Sequence, residues 1–167
     1  MALPSVELMG WADLSAGEQA QVRALRISAD QVEYAGTIER AIDKVVDGQG
    51  DELAGLAIRR GTEIVGFIVL ARRSKAPDWA EREAAVVSAM RIGEQHQGRG
   101  FGAAALHALA DWVRRHWPQV HALSLSVDEG NAAGIRAYQK AGFVDHRERV
   151  AGRIGWVRYM SRLIGAD

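Results

Sequence analysis

A glycine-rich segment, Gln97-Gly98-Arg99-Gly100-Phe101-Gly102-Ala103, constrains the fold of this chain more than any other part of the sequence. An apolar run predicts a strand before it, over residues 84–92, and an amphipathic pattern predicts a helix after it, over residues 103–117. Three glycines at alternate positions leave the backbone N–H groups at this strand-to-helix junction uncovered by side chains, and the helix dipole adds partial positive charge there. The junction is therefore predicted to bind a phosphate or pyrophosphate group.

The composition is that of an ordinary globular domain, and it excludes several classes of function. Basic and acidic residues number 21 each, so no broad basic surface predicts a nucleic acid or an anionic membrane as partner. The chain has no cysteine, which excludes disulfides, a thiolate zinc site and a covalent cysteine intermediate. With neither a signal-peptide pattern nor an apolar run of ~18 residues, a cytoplasmic protein with no membrane partner is expected. A single domain over residues 1–167 is predicted.

The rest of the sequence predicts strands and helices in a mixed order. Ser15 and Thr37 are helix-capping residues that predict helices over residues 15–27 and 37–48. Further strands are predicted at residues 6–11, 53–59, 62–71, 120–127, 143–150 and 154–163, and a short helix at 131–141. The strand at 62–71 is almost continuously apolar, which predicts a central position with both faces buried. The expected fold class is α+β, with one mixed, largely antiparallel sheet of about seven strands and about four helices.

Two nucleotide-binding interpretations compete for the glycine segment. Gly98-x-Gly100-x-x-Ala103 matches the dinucleotide fingerprint, but residues 93–97 separate it from the strand and the chain lacks repeated βαβ units. A nicotinamide-binding oxidoreductase therefore stays an alternative, as does a glycine-rich helix start without a ligand. A P-loop is excluded because no Gly-Lys-Ser/Thr sequence follows the glycines.

A second motif follows the next predicted strand, namely Asn131-Ala-Ala-Gly134-Ile-Arg-Ala-Tyr138-Gln-Lys-Ala-Gly142-Phe143. Together with Gln97-x-x-Gly100-x-Gly102, this segment resembles the GNAT superfamily of acyl-CoA-dependent N-acetyltransferases. The first stretch resembles that family's Q/R-x-x-G-x-G/A signature. The second resembles its N-x-x-A-x-x-x-Y-x-x-x-G-F pattern, with Gly134 where alanine is usual. The two motifs cover roughly residues 84–145, and the element order is similar over the whole chain.

The resemblance implies a GNAT fold in which the fourth and fifth strands splay apart and acetyl-CoA, the cosubstrate, enters between them. Backbone groups of Met90, Arg91 and Ile92 would pair with the pantetheine arm, and one N–H there would polarise the thioester carbonyl. Asn131 would hydrogen-bond to the pantetheine. Tyr138 would protonate the departing thiolate, unless it is only a buried aromatic side chain of the helix. The residues expected at the pyrophosphate are Gln97, Gly98, Arg99, Gly100, Phe101, Gly102 and Ala103.

The general base is left open by the sequence. Many relatives carry a glutamate on the strand before the glycine segment, whereas residues 84–92 offer only Ser88 and Arg91 as polar side chains. Glu83, just upstream, is the candidate base acting through water, and Glu81 and His96 are alternatives. A solvated loop charge is the competing interpretation of both glutamates. The histidines show no metal-ligand spacing, so no metal is predicted.

The resulting hypothesis is an enzyme that moves an acetyl group from acetyl-CoA to a primary amine of a small molecule. Without a cysteine, transfer would occur by direct attack in a ternary complex. Residues 28–34 faintly resemble bacterial polyamine acetyltransferases, and the acidic residues that would attract a polycation are Asp30, Glu33, Glu39 and Asp43. Other small amines stay open as acceptors.

Two other functions stay open, and so does the oligomeric state. One is a catalytically inactive CoA-binding sensor or scaffold, and the other is a protein N-terminal or lysine acetyltransferase. Many members of the resembling family form dimers, so a homodimer through the C-terminal hairpin is one expectation. Trp156 and Tyr159 of that hairpin fit either such a contact or an internal core.

Overall fold

The structure, a computed structural model, describes residues 2–48 and 50–165. These residues form seven strands and five α-helices. The strands are β1 (Glu7–Gly10), β2 (Leu53–Arg60), β3 (Glu63–Arg72), β4 (Ala84–Ile92), β5 (Ala122–Asp128), β6 (Val144–Gly152) and β7 (Gly155–Leu163). The helices are α1 (Ala16–Arg23), α2 (Ala29–Ala35), α3 (Ile38–Asp47), α4 (Phe101–His116) and α5 (Ala132–Lys140).

All seven strands belong to one sheet in the order β1-β2-β3-β4-β5-β7-β6. Every neighbouring pair is antiparallel except β4 and β5, which are parallel. The predicted mixed, largely antiparallel sheet of about seven strands is therefore confirmed.

Helices cover both faces of this sheet. On one face, Val22 of α1 and Ile42 of α3 are buried against Phe67 of β3. On the other face, Leu106 of α4 is buried in a second core together with Ile68 of β3. Alternate residues of β3 thus enter different cores, which explains its almost continuous apolar sequence. β3 is buried along its length after Glu63, as predicted for a central strand.

The splay of β4 and β5 is the feature that opens the sheet. The two strands pair only at their first residues, from Ala84 opposite Ala122 to Val86 opposite Ser124. Beyond that point they separate, and β4 stays paired only with β3. A bulge in the β3–β4 ladder, between Val69 and Leu70, leaves Ser88 without an opposite residue and bends β4 near the point of separation.

Helix α2 was not predicted from the sequence, so the structure has five helices where about four were expected. The first helix was predicted to reach residue 27, but α1 ends at Arg23, and the Arg26 carbonyl then accepts a hydrogen bond from the Glu94 N–H at 2.6 Å. Ser28 caps the new helix by accepting a hydrogen bond from the Gln31 N–H. This seven-residue helix has no buried residue, so it lacks the apolar stripe by which α1 and α3 were recognised.

The start of α4 and the C-terminal hairpin also differ in detail from the predictions. Helix α4 begins at Phe101 rather than at residue 103, because Gly100 adopts a left-handed conformation (φ 86°) and forms the N-cap. In the C-terminal hairpin, Tyr159 packs against Trp79 with ring centroids 4.8 Å apart, whereas Trp156 is 48% exposed. The homodimer stays a prediction. Within the described residues, no helix is long and apolar enough to span a membrane.

Candidate active site

A cleft of about 380 Å³ lies where β4 and β5 separate. Its walls are the C-terminal halves of these strands, the glycine segment, α2 and α5. Ten of the twelve residues predicted to hold the cofactor line it, namely Met90, Ile92, Gln97, Gly98, Gly100, Phe101, Gly102, Ala103, Asn131 and Tyr138. The fold thus brings the two sequence motifs together around one space. Arg91, Arg99 and the candidate base Glu83 are not brought to it.

The glycine segment presents bare backbone at one end of the cleft. Gly98 and Gly100 have φ angles of 74° and 86°, which side-chain-bearing residues rarely adopt. No side chain caps α4, so the first N–H groups of this helix have no side-chain partner. A Cβ atom on Gly102 would lie 3.3 Å from Met90 Cε, so glycine at this position lets the helix start approach β4 closely. This geometry suits an anionic group seated on main-chain amides.

The cleft edge of β4 carries one backbone position open to a ligand. The Ile92 N–H donates to Gln31 Oε1 at 3.1 Å, and Gln31 Nε2 donates back to the Ile92 carbonyl at 2.9 Å. The backbone groups of Ile92 therefore face away from β3. Because residues along a strand direct these groups to alternate edges, those of Met90 also face the cleft. The backbone groups of Met90 are thus suited to hydrogen-bond to an extended ligand, whereas those of Ile92 are already bonded to the Gln31 side chain.

Arg91 does not reach the cleft, contrary to its predicted role. By the same alternation its backbone groups face β3, where Arg91 lies opposite Phe67. Its side chain is only 2% exposed and donates hydrogen bonds from Nε to the Gly36 carbonyl at 3.0 Å and from Nη2 to the Ala35 carbonyl. Burial lowers the pKa of Arg91 to about 10, which leaves the guanidinium charged at neutral pH. Arg91 therefore anchors the C-terminus of α2.

Two further residues of the glycine segment differ in their placement. Gln97 lines the cleft and donates from Nε2 to the Ile92 carbonyl at 3.3 Å. Arg99 is exposed outside the lining, with its guanidinium carbon 5.2 Å from the centre of the Phe101 ring. The structure gives no direct support to Arg99 as a pyrophosphate contact, because its guanidinium group lies over the Phe101 ring and not in the cleft. Phe101, 2% exposed, anchors the segment in the core.

Tyr138 lies in the last turn of α5, and the end of this helix is fixed. The Phe143 N–H donates to the Tyr138 carbonyl and the Gly142 N–H to the Gln139 carbonyl, both at 3.0 Å, in a Schellman motif with Gly142 at φ 88°. The Phe143 ring packs 5.9 Å from the Tyr138 ring, centroid to centroid. Burial raises the pKa of Tyr138 to about 12, so its hydroxyl stays protonated across the neutral range.

Asn131 caps the other end of α5. Its Oδ1 accepts a hydrogen bond from the Gly134 N–H at 3.0 Å. A Cβ atom on Gly134 would lie 2.5 Å from Asn131 Nδ2, so the alanine that is usual in the resembling family would require the Asn131 side chain to shift. Asn131 lines the cleft, and its hydrogen bond to the pantetheine stays a prediction.

Glu83 lies at the opposite end of β4 from the glycine segment. It lines a separate pocket together with Glu81, and its carbonyl accepts a hydrogen bond from the His121 N–H at 3.2 Å, where β4 and β5 are still paired. Met90 is seven residues further along the extended strand, or roughly 23 Å away at about 3.3 Å per residue. Neither glutamate is therefore near the cleft, and the structure does not support Glu83 as the base.

The third candidate, His96, is buried rather than on the surface. It is 4% exposed, lines the cleft and packs edge-on against Phe101 with ring centroids 6.0 Å apart. Its Nε2 lies 3.5 Å from Glu63 Oε1. Within the described residues its Nδ1 is buried and has no hydrogen-bond partner.

The carboxylate that does line the cleft, Asp128, was not among the predicted site residues. Its neighbour Glu129 accepts hydrogen bonds from Arg149 and Arg158, which lower the pKa of that carboxyl group. The Asp128 side chain, in contrast, has no hydrogen bond or ion pair within the described part of the chain. The alternation of β5 contained the signal, because Ser124, Ser126 and Asp128 share the face opposite the apolar residues.

Two cations on α5 were also missed. Arg136 and Lys140, four residues apart and therefore on the same face of the helix, both line the cleft. Their charges suit phosphate groups, whereas Asp128 suits a cation, so the lining offers sites of both signs. Among the described residues, no group of three His, Asp or Glu side chains is placed to hold a metal ion, and the absence of a metal stays a prediction.

Comparisons with known proteins agree with this geometry. The model of the acetyltransferase (GNAT) family matches residues 21–143. No curated protein sequence matches the chain significantly. Among solved structures, an aminoglycoside acetyltransferase in complex with coenzyme A aligns with a TM-score of 0.74 and 19% identity over 95% of both chains.

Two further solved structures share the fold at similarly low sequence identity. The spermidine N-acetyltransferase from Vibrio cholerae, in complex with CoA and spermine, aligns with a TM-score of 0.70 and 18% identity over 95% of both chains. The ribosomal-protein-S18-alanine N-acetyltransferase from Escherichia coli aligns with a TM-score of 0.66 and 16% identity over 97% of this chain and 96% of that one. The predicted fold and enzyme class are confirmed, and the chain belongs to the acetyltransferase (GNAT) family.

Proposed function

We propose that the protein transfers the acetyl group of acetyl-CoA to a primary amine of a small molecule, by direct attack in a ternary complex. The observation that carries this proposal is the splay of β4 and β5. It opens one cleft between a bare-amide anion site at Gly98–Gly102 and the hydroxyl-bearing helix turn at Tyr138. Acetyl-CoA supplies the activated acyl group, and the chain's residues hold and polarise it.

The lining residues fit a long diphosphate-bearing thioester. The amides at the start of α4 suit the pyrophosphate, and Arg136 and Lys140 add positive charge for its phosphates. The open backbone groups of Met90 suit the amides of an extended pantetheine arm. A main-chain N–H at this edge, within a partly desolvated cleft, stabilises negative charge as it develops on the thioester oxygen.

Tyr138 acts as the proton donor to the leaving sulfur. An ordinary thiol has a pKa of ~8.5, so a phenol with a pKa of about 12 is weaker as an acid by about 3.5 units, or roughly 4.8 kcal/mol. This difference is an upper limit, since the thiolate forms in the same cleft and desolvation raises its pKa as well. A turnover of ~10 s⁻¹ corresponds to a barrier of roughly 16 kcal/mol, so the transfer is energetically accessible.

The absence of cysteine favours direct transfer of the acetyl group from acetyl-CoA to the amine. No cysteine is present to form an acyl-enzyme, so the amine itself attacks the thioester while both substrates are bound. The attacking nitrogen becomes bonded to the acetyl carbon as the carbon–sulfur bond breaks. Tyr138 gives its proton to the sulfur, and the amine's excess proton leaves to solvent. The Tyr138 phenolate then takes up a proton from solvent, which restores the enzyme.

A steady-state assay tests the proposal. Primary amines are screened with acetyl-CoA, thiol release is followed, and both substrates are then varied together. We expect thiol release with at least one amine and intersecting double-reciprocal lines. Parallel lines contradict direct transfer. A protein that is stabilised by CoA yet releases no thiol with any amine is instead the binding-only alternative.

A further inference from the structure

Alternate side chains of β5 point to opposite faces of the sheet and so to different sides of the cleft. Leu125 and Val127 belong to the core shared with α4 and with Phe143 after α5, which is the face that carries the glycine segment and Tyr138. Ser126 and Asp128 alternate with them and therefore point to the opposite face, on which α1 and α3 lie. Because the glycine segment and Tyr138, which would hold the proposed cofactor, lie on the first face, the opposite face is the one left for a second substrate.

Asp128 is the negative charge available on that face. Among the described residues that line the cleft, it is the one carboxylate. Glu129 is occupied by Arg149 and Arg158, whose nitrogens lie 2.9 Å and 2.8 Å from its oxygens. The four acidic residues expected to attract a polycation, Asp30, Glu33, Glu39 and Asp43, all lie outside the lining.

Helix α2 covers the same part of the cleft and is held there by polar contacts. Gln31 pairs with both backbone groups of Ile92, and Arg91 binds carbonyls at the helix C-terminus. Arg153, from the β6–β7 turn, donates to the Glu33 carbonyl at 2.5 Å. These contacts fix the position of Tyr34, which lines the cleft.

Tyr34 lies next to the turn that follows Asp128. Its hydroxyl oxygen is 3.0 Å from the position that a Cβ atom would occupy on Gly130. An aromatic ring and an unpaired carboxylate at one end of a cleft form a site for an organic cation, since the ring face attracts positive charge and the carboxylate accepts its hydrogen bonds.

We propose that Asp128 and Tyr34 select an acceptor that carries a second ammonium group besides the amine that is acetylated. The attacking nitrogen has to be uncharged when it meets the thioester, so the cation held by Asp128 is another amino group of the same molecule. The acceptor class is therefore a diamine or polyamine. This inference rests on the proposed acetyl transfer and adds the residues that choose the acceptor.

The test compares two acceptors that differ only in the second charge, 1,4-diaminobutane and butylamine. Wild-type protein, Asp128→Asn and Asp30→Asn are assayed for thiol release at saturating acetyl-CoA. Asp30 is exposed on α2 and outside the lining, so its substitution removes the same charge nearby without touching the cleft.

We expect wild-type protein to prefer the diamine, and Asp128→Asn to lose about tenfold or more in kcat/KM for the diamine, mainly through KM. Butylamine should be affected less than threefold, and Asp30→Asn should leave both values near wild type. Tyr34→Leu should lower the preference for the diamine about two- to fivefold. An unchanged dissociation constant for CoA shows that each variant is folded.

Results that overturn the acceptor proposal differ from the result that overturns acetyl transfer itself. Equal losses for both amines in Asp128→Asn mean that Asp128 acts on the attacking nitrogen and overturn the proposal, as does a variant that keeps the wild-type preference. Thiol release with butylamine but not with the diamine also overturns it, while leaving acetyl transfer intact. If wild-type protein releases thiol with no amine at all, the proposed function fails first and this inference fails with it.

Discussion

Replacing Tyr138 by phenylalanine removes the proposed proton donor while keeping the ring that packs on Phe143. The phenol is a weak donor, because burial raises its pKa to about 12, and a thiolate leaves readily without full protonation. The loss in kcat should therefore lie near the lower end of general-acid effects, about a hundredfold, or roughly 2.7 kcal/mol in activation free energy.

Folding and cofactor binding should survive this substitution. The Tyr138 hydroxyl has no hydrogen-bond partner within the described residues, so its removal should change the free energy of unfolding by less than about 1 kcal/mol near neutral pH. Thiol release at saturating acetyl-CoA and amine measures kcat, and calorimetry measures the dissociation constant for CoA. A kcat within threefold of wild type, or a loss of CoA affinity that matches the loss of activity, refutes the assignment.

Three further predictions concern stability, the glycine segment and Glu83. Burial in the folded state raises the Tyr138 pKa from 10.0 to about 12, so the neutral phenol contributes its full share to the free energy of unfolding below pH 10, and this share is lost as the pH rises towards 12. At pH 11, denaturant titration should therefore show that the wild-type protein has lost about 1.4 kcal/mol of its free energy of unfolding to this ionisation, whereas Tyr138→Phe has not. Gly100→Ala places a Cβ atom on a residue with φ 86°, 3.2 Å from Pro4 Cδ. Thermal unfolding should show a loss of about 1–2 kcal/mol in the free energy of unfolding, and calorimetry should show weaker CoA binding. Wild-type values in both measurements contradict the requirement for glycine. Glu83→Gln should keep kcat within twofold of wild type, and a drop of more than tenfold in thiol release restores Glu83 as a candidate base.

The features recognised from the sequence are those set by local backbone chemistry. Glycines that adopt left-handed conformations at positions 98, 100 and 142 have no good substitute, so their spacing marks the bare-backbone end of the cleft and the end of α5 directly. The apolar run of β3 likewise identifies the strand with two buried faces. The segments that form the two ends of the cleft were therefore visible before any tertiary contact was known.

The misplaced residues depend on strand pairing, which a local pattern does not specify. Arg91 was grouped with Met90 and Ile92, but pairing with β3 directs its backbone away from the cleft. Glu83 is near the strand in sequence, yet the length of β4 carries it to the closed end. Helix α2 is held by polar side chains that reach it from β4 and the β6–β7 turn, so its own sequence carries little signal.

Asp128 was missed for a different reason. The strand was predicted to end at residue 127, whereas β5 extends to Asp128 and places this residue on the same face as Ser126. Its importance comes from its neighbours, because Glu129 is neutralised by two arginines that lie 20 and 29 residues further along the chain. A lone sequence gives no means of deciding which of two adjacent carboxylates stays unpaired.

In the proposed mechanism, the space between the splayed strands holds acetyl-CoA with its sulfur beside Tyr138. A crystal structure of the protein with CoA tests this most directly. We expect the pyrophosphate on the amides of Gly98–Gly102, the pantetheine along Met90, and the sulfur within hydrogen-bonding reach of the Tyr138 hydroxyl, at about 3–3.5 Å. CoA bound elsewhere, or a sulfur far from Tyr138 on the other side of β4, contradicts it.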